Sequence, residues 1–332
     1  SGEFDPDYHR AVWPSTGNYC RGGVFDACLM GCGSVAILPE QMSRERFDWL
    51  RTMGAEVIAT PGCESNVKEI YDACWEIRRT RPECMIFNQF EEFGNACWHY
   101  HVTGAAAAEA WQAVRGARSR LAAFVSATGS GGTIAAGDYL RTIAPRIAIV
   151  AAEALQCPTL YENGFGAHRI EGIGDKHVPW IHNTRSTDAI AAIDDEACMR
   201  LFRLFNEPAG HALLAREGVP DEVIAKLDLF GISCIANLLA AIKTARRFEY
   251  TSHDVIITVA TDSAAMYLSR LDELRAERGA YTGEHAARDF EGALRATRDD
   301  HFGELTYHTR KALHNLKYYT WVEQQGKTVE AL

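Results

Sequence analysis

Three glycines and three hydroxyl side chains crowd into six residues, Thr128-Gly129-Ser130-Gly131-Gly132-Thr133. Such a turn leaves backbone amides unshielded by Cβ atoms, and its hydroxyls add donors for the same ligand. The preceding run, 121–127, is apolar and rich in Ala, Val and Phe, as a buried strand is, and a helix-forming run follows from Ile134. A strand, a glycine turn and a helix N-terminus in that order make an anion cup, where the helix dipole favours a bound anion by up to about 2 kcal/mol. The spacing is not G-x-G-x-x-G, because Ile134 fills the last position, and no Lys follows as in a P-loop, so a dinucleotide or nucleoside triphosphate is disfavoured. The competing reading is a turn whose glycines serve packing alone.

A second small polar turn, Ser15-Thr16-Gly17-Asn18, suits either a binding loop at a helix start or an ordinary N-cap. The pairs His99/His101 and His177/His182 lack Cys or carboxylate partners at zinc-like spacing, so no metal is assigned. The ten cysteines form no C-x-x-C pair and lie mostly among apolar residues, which fits reduced thiols and the cytoplasm. A formal charge of -10, with no basic run, argues against nucleic acid as a partner. No apolar run is long enough to span a membrane and no signal peptide is found, so no membrane partner is expected.

The elements that must position these residues alternate along the chain. Helices are predicted over 22–30, 42–53, 66–79 and 104–117, with Gly94 and Gly104 as breaks, and strands over 34–38, 55–60, 84–88 and 147–153. That beat predicts α/β layers with mostly parallel strands. At 332 residues, with 47% apolar and 23% charged residues, the chain is expected to form two lobes. The expected division is 1–103 for a small lobe, 104–268 for a large one and 269–332 for a helical C-terminal extension. The bulky residues Leu313, Leu316, Tyr318, Tyr319, Trp321 and Val322 mark that extension as a lid or a subunit contact, and a homodimer is expected.

Five blocks in order carry a family resemblance. They are Ser15-Thr16-Gly17-Asn18, the stretch MSRERFDWLRTMGAEVIATPG over 42–62, Asn88-Gln89-Phe90 with His99-Tyr100 and Thr103-Gly104, the turn 129–133, and Glu171-Gly172-Ile173-Gly174. Together they resemble the cysteine synthase and cystathionine beta-synthase group of pyridoxal 5'-phosphate (PLP) enzymes, over roughly residues 13–270, with weaker matches at 231–233 and 261–263. The resemblance implies a two-lobed tryptophan synthase beta-like fold, PLP as cofactor and a small amino acid as substrate. It implies that Gly129, Ser130, Gly131, Gly132 and Thr133 hold the cofactor phosphate and that Asn18 bonds the ring 3'-oxygen. Gly174 would lie beside the cofactor, and Ser263 would face the pyridine nitrogen. Ser15, Thr16, Gly17 and Gln89 would hold the substrate carboxylate. A hydroxyl at the ring nitrogen suits β-elimination or β-replacement through an aminoacrylate, and Asp262 next to it leaves the register open.

Departures from the family pattern are informative. Tyr19-Cys20-Arg21 stands where the family commonly has Thr-Gly, so Arg21 would grip an acidic substrate side chain or else pair with an Asp such as Asp26, and Cys20 is a reactive thiol or a small buried one. Residues 206–229 read as an insertion before Gly231. In the family a Schiff-base lysine precedes the substrate loop, and none lies among the fourteen residues before Ser15; the seven lysines present occupy no matching motif. The catalytic residue is therefore unassigned. The sequence omitting an N-terminal part is the favoured explanation; a lysine from another chain, or a noncatalytic or regulatory protein of this fold, are the alternatives. Serine or threonine dehydration is a further alternative within the enzyme class.

Overall fold

A computed structural model describes residues 4–332. Two sheets form its two lobes. The small one is all parallel, in the order β3-β2-β1-β4, with β1 Arg10–Pro14, β2 Ser34–Pro39, β3 Glu56–Thr60 and β4 Cys84–Ile86. Helices α1 (Asn18–Met30) and α2 (Arg44–Thr52) cover one face, around Trp13, Val24, Ala36 and Leu50. Helix α3 (Val67–Thr80) covers the other, around Val12, Val35, Ile37 and Ile70. Side chains of β1 and β2 thus point alternately into two apolar layers, which is why both strands are buried throughout apart from Arg10.

The large sheet runs β8-β5-β6-β7-β9, with β5 Arg120–Ala127, β6 Ala148–Ala154, β7 Ala189–Ile193, β8 Asp254–Thr258 and β9 Phe302–Glu304. All neighbours are parallel except β7 and β9. Along the chain, α4 (Phe93–Trp98), a π-helical turn His99–Thr103 and α5 (Gly104–Val114) connect β4 to β5, and α6 (Ala135–Ile143) follows β5; α5 and α6 pack together against the large sheet. In each sheet the chain winds outward one way and then returns to the opposite side of its first strand. The strand order therefore reverses between β1 and β4 and between β5 and β8, and the crevice past the carboxyl ends of such strands is where α/β folds bind ligands.

Two expectations change. Gly94 and Gly104 do not break the chain: both are helical, and Gly104 lies against Tyr139 so closely that a Cβ would meet that side chain's Cβ at 2.5 Å. Glycine is there for the helix contact, not for a turn. Nor is the C-terminal stretch only a helical extension: β9 joins the large sheet, and Leu313 and Trp321 are buried within the chain itself. Trp321 packs on Tyr71 and Trp180 and donates its indole N–H to the Val178 carbonyl at 2.9 Å. Its bulky residues strap the small lobe to the large one, and Tyr319 alone of the six stays largely exposed, at 61%.

Candidate active site

Past the ends of β1, β4, β5 and β8 the two lobes line a cleft of about 210 Å³. Its wall takes Ser15, Thr16 and Asn18 from the loop after β1, Gln89 from the loop after β4, and Gly129, Ser130, Gly131 and Thr133 from the turn after β5. Eight of the residues expected at the site thus meet in one place from three distant segments. The glycine turn has the predicted form. Gly131 adopts a left-handed φ of 77°, its absent Cβ would lie 2.8 Å from the Cβ of His182, and no side chain caps the N-terminus of α6. The amides of Ala135 and Ala136 are taken by the Gly132 and Thr133 carbonyls, so it is the amides of the turn itself, with the hydroxyls of Ser130 and Thr133, that face a bound anion.

Residues that the sequence did not single out hold this wall together. Asn95 donates from Nδ2 both to the Gln89 carbonyl and to Ser130 Oγ, each at 2.9 Å, tying the β4 loop to the glycine turn. Asn237 sits between the ends of β5 and β8, accepting from the Ala127 amide at 2.6 Å and donating to the Val259 carbonyl at 2.8 Å. Arg46, from α2, is fully buried. Its Nε donates to Glu171 Oε2 at 3.1 Å, Nη1 to Asn18 Oδ1 at 3.3 Å and Nη2 to Asp262 Oδ2 at 3.2 Å, and it also bonds the Tyr267 hydroxyl. Burial opposes its charge, but Tyr267, Glu171 and Asp262 more than offset that and hold the guanidinium protonated. The signal was a charged residue on the apolar side of α2, between Ser43 and the buried Phe47 and Leu50.

Other expected residues stand apart from the wall. Gly17 lies beneath it, where a Cβ would fall 1.8 Å from Arg46 Nη1, and Gly132 behind it, where a Cβ would fall 2.2 Å from Asn95 Oδ1. Gly174, at φ 86°, donates its N–H to the Thr128 carbonyl at 2.9 Å and packs on His168, supporting the turn from outside. Arg21 does not reach the cavity, because its guanidinium stacks over Trp49, 4.9 Å from the ring centroid. Cys20 is fully buried, and burial pushes its thiol up to about 12, which makes it a packing residue. Ser263 opens a short helical turn beyond the lining; Thr261 is on the wall instead, 3.1 Å from Ser233 Oγ. Asp262 bonds Arg46 and Asn18 and is not among the lining residues, whereas the hydroxyls of Ser233 and Thr261 are.

Among the described residues, the cavity wall carries two side chains that titrate, Tyr19 and His99. Burial, and then Glu92, push the Tyr19 phenol up, and its hydroxyl donates to the Phe87 carbonyl. Burial lowers His99, whose Nδ1 lies 2.9 Å from Thr103 Oγ1. None of the seven lysines lines the cavity; Lys176 pairs with Glu69 at 3.5 Å and lies over the Phe165 ring. The donors therefore suit a molecule with a phosphate at one end and polar ring substituents at the other. The sequence pattern of the family described as pyridoxal-phosphate dependent enzyme matches residues 6–217. The chain belongs to that family.

Similarity to individual members agrees. A probable cysteine synthase of Bacillus subtilis is 31% identical over 259 residues, covering 78% of this chain and 76% of that protein. Cystathionine beta-synthase of Saccharomyces cerevisiae is 25% identical over 343 residues, covering all of this chain and 64% of that protein. Among solved structures, the O-acetylserine dependent cystathionine beta-synthase from Helicobacter pylori superposes with a TM-score of 0.65 at 26% identity, covering 81% of this chain and 79% of that one. A hydrogen sulfide-producing enzyme from Fusobacterium nucleatum, at a TM-score of 0.68 and 22% identity, covers 86% of this chain and 78% of that one and shares the fold. The family's cofactor is pyridoxal phosphate, and the cavity's donors are of a kind that could hold it: the amides and hydroxyls of the glycine turn would suit the phosphate, and Asn18, Ser233 and Thr261 would offer polar groups to the ring.

Proposed function

We propose that this chain carries the cofactor and substrate pocket of a PLP-dependent enzyme that acts by β-elimination or β-replacement on a small amino acid, in the manner of its cysteine synthase relatives. The supporting observation is the convergence of Ser15, Thr16, Gln89, Asn18 and the 129–133 turn on one cavity at the strand-order reversals of both sheets. Bound there, PLP supplies the electron sink that lets an amino acid release its α-proton and its β-substituent. The chain's own residues do the holding. Amides and hydroxyls of 129–133 grip the phosphate, and Ser15, Thr16 and Gln89 orient the substrate carboxylate. Asn18 presents a polar group to the ring 3'-oxygen, and the Ser233–Thr261 hydroxyl pair meets the ring nitrogen. His99, with Nδ1 beside Thr103 Oγ1 and its charged form disfavoured by burial, is the imidazole the wall offers as a proton acceptor.

A small amino acid with a good β-leaving group, such as O-acetylserine, is the substrate class. The test is a PLP titration followed by absorption, with O-acetyl-L-serine then added. Saturable one-to-one binding and a shift of the visible band on adding the amino acid support the reading; failure to bind PLP refutes it. We further propose a reducing, cytoplasmic setting and a homodimer. All ten cysteines are free, and Phe25, Leu29 and Met30 on α1, with Phe93, Trp98 and Val102 on the neighbouring segment, leave an apolar face for a second copy. A monomeric mass by light scattering at micromolar concentration would refute the dimer.

A further inference from the structure

We propose that Arg46 is a positioning residue that fixes which way round the Asn18 amide sits, so that an N–H and not a carbonyl oxygen faces the cofactor cavity. This rests on the reading of that cavity as the PLP site. The two ends of an asparagine amide have nearly the same shape, and only its neighbours decide which end points where. Here the neighbours are unambiguous. A guanidinium can only donate, and Arg46 Nη1 lies 3.3 Å from Asn18 Oδ1. A carboxylate can only accept, and Asp262 Oδ2 lies 3.0 Å from Asn18 Nδ2. A flipped amide would set two donors against each other at one contact and two acceptors at the other. With Oδ1 and one Nδ2 hydrogen engaged, the remaining Nδ2 hydrogen is the group Asn18 offers to the cavity it lines. That hydrogen suits an anionic ring oxygen.

The arrangement is built around this arginine. Its Nε is held by Glu171, whose other oxygen accepts from Arg270 at 2.6 Å, and its Nη2 by Asp262 and Tyr267, so it has no freedom to turn. Gly17, next to Asn18, has no Cβ because one would sit 1.8 Å from Nη1. A buried ion pair of this kind adds little net stability over apolar packing, so orienting its neighbour is the role the geometry leaves to it. Arg46 belongs to the small lobe while Glu171 and Asp262 belong to the large one. The amide is therefore set only with the lobes assembled.

A double-mutant cycle on PLP binding tests this. Arg46→Lys keeps the charge but cannot donate to Glu171, Asp262 and Asn18 together. It is expected to weaken PLP binding roughly ten- to a hundredfold in the unaltered background, the loss of a hydrogen bond to a charged group, and less than about threefold in Asn18→Ala, where no amide remains to orient. Equal losses in both backgrounds, with the unaltered chain binding PLP, would overturn the proposal alone. No PLP binding by the unaltered chain would overturn the reading of the cavity and this proposal with it. Should Arg46→Lys show no cooperative melt, Tyr267→Phe takes its place under the same criterion. It removes the hydroxyl shared by Arg46 and Asp262 without changing a buried charge.

Discussion

Replacing single glycines of the 129–133 turn by alanine should separate those that shape the phosphate cup from those that only line it. Gly131 has φ 77°, and an alanine Cβ there would lie 2.8 Å from His182 Cβ and 3.3 Å from its Cα, atoms of a buried residue that cannot swing away. Left-handed backbone costs a non-glycine residue about 1–2 kcal/mol. Overpacking a filled site costs about 1–3 kcal/mol. The turn must hold this shape to bind the phosphate, so the combined penalty of about 2–5 kcal/mol should appear in the PLP dissociation constant as a loss of about 30- to 4,000-fold, at 1.4 kcal/mol per tenfold. Gly129 has no left-handed φ, and its nearest neighbour would be the Gly172 carbonyl oxygen at 3.4 Å, so Gly129→Ala should change binding by less than about fivefold. Gly132→Ala falls between, because it displaces Asn95 from its bonds to Gln89 and Ser130. The assay is fluorescence or absorption titration with PLP, with a thermal melt of each apo variant to show folding. PLP affinity in Gly131→Ala equal to that of the unaltered chain, or a larger loss in Gly129→Ala, would refute the argument.

Thr16→Ala and Gln89→Ala should each weaken amino-acid binding to the PLP-loaded chain by roughly ten- to a hundredfold while leaving PLP affinity within about threefold; parallel loss of both ligands would show misfolding instead. Burial holds His168 down at about 4, and burial with Lys317 holds His182 at about 3, so both are neutral in the fold. Between pH 6.5 and 4 the unfolded chain takes up protons that the folded one refuses. The stability these residues contribute above pH 6.5 is then lost on acidification, by about 3 kcal/mol each at pH 4. Urea midpoints should fall over that range, and His182→Gln should flatten the slope; an unchanged slope would rule His182 out as a cause. Borohydride reduction of the chain mixed with equimolar PLP should label none of the seven lysines stoichiometrically, since none lines the cavity, and a mapped stoichiometric label on Lys176 would contradict this.

Strand, turn and helix signals are local, and the sequence therefore carried most of the fold and the two binding turns. An apolar run ending in Thr-Gly-Ser-Gly-Gly-Thr can do little else than what β5, the glycine turn and α6 do, and the alternation of strand and helix patterns is enough for α/β layers with mostly parallel strands. Side-chain destinations were not local. Asn18 and Asp262 are 244 residues apart and meet only because both sheets present their strand-order reversals to one crevice. Arg46 looks like any helical arginine until the lobes bury it between Glu171 and Asp262, and Arg21 looks like a substrate clamp until Trp49 takes its guanidinium. Whether Thr261, Asp262 or Ser263 faces the cavity depends on how the chain bends after β8, where a one-residue step changes which side chain looks inward. The same holds for Gly104 and Trp321, whose types suggested a break and an external contact. The partners that give them other roles, Tyr139 for one and Tyr71 with Trp180 for the other, become neighbours only in the folded chain.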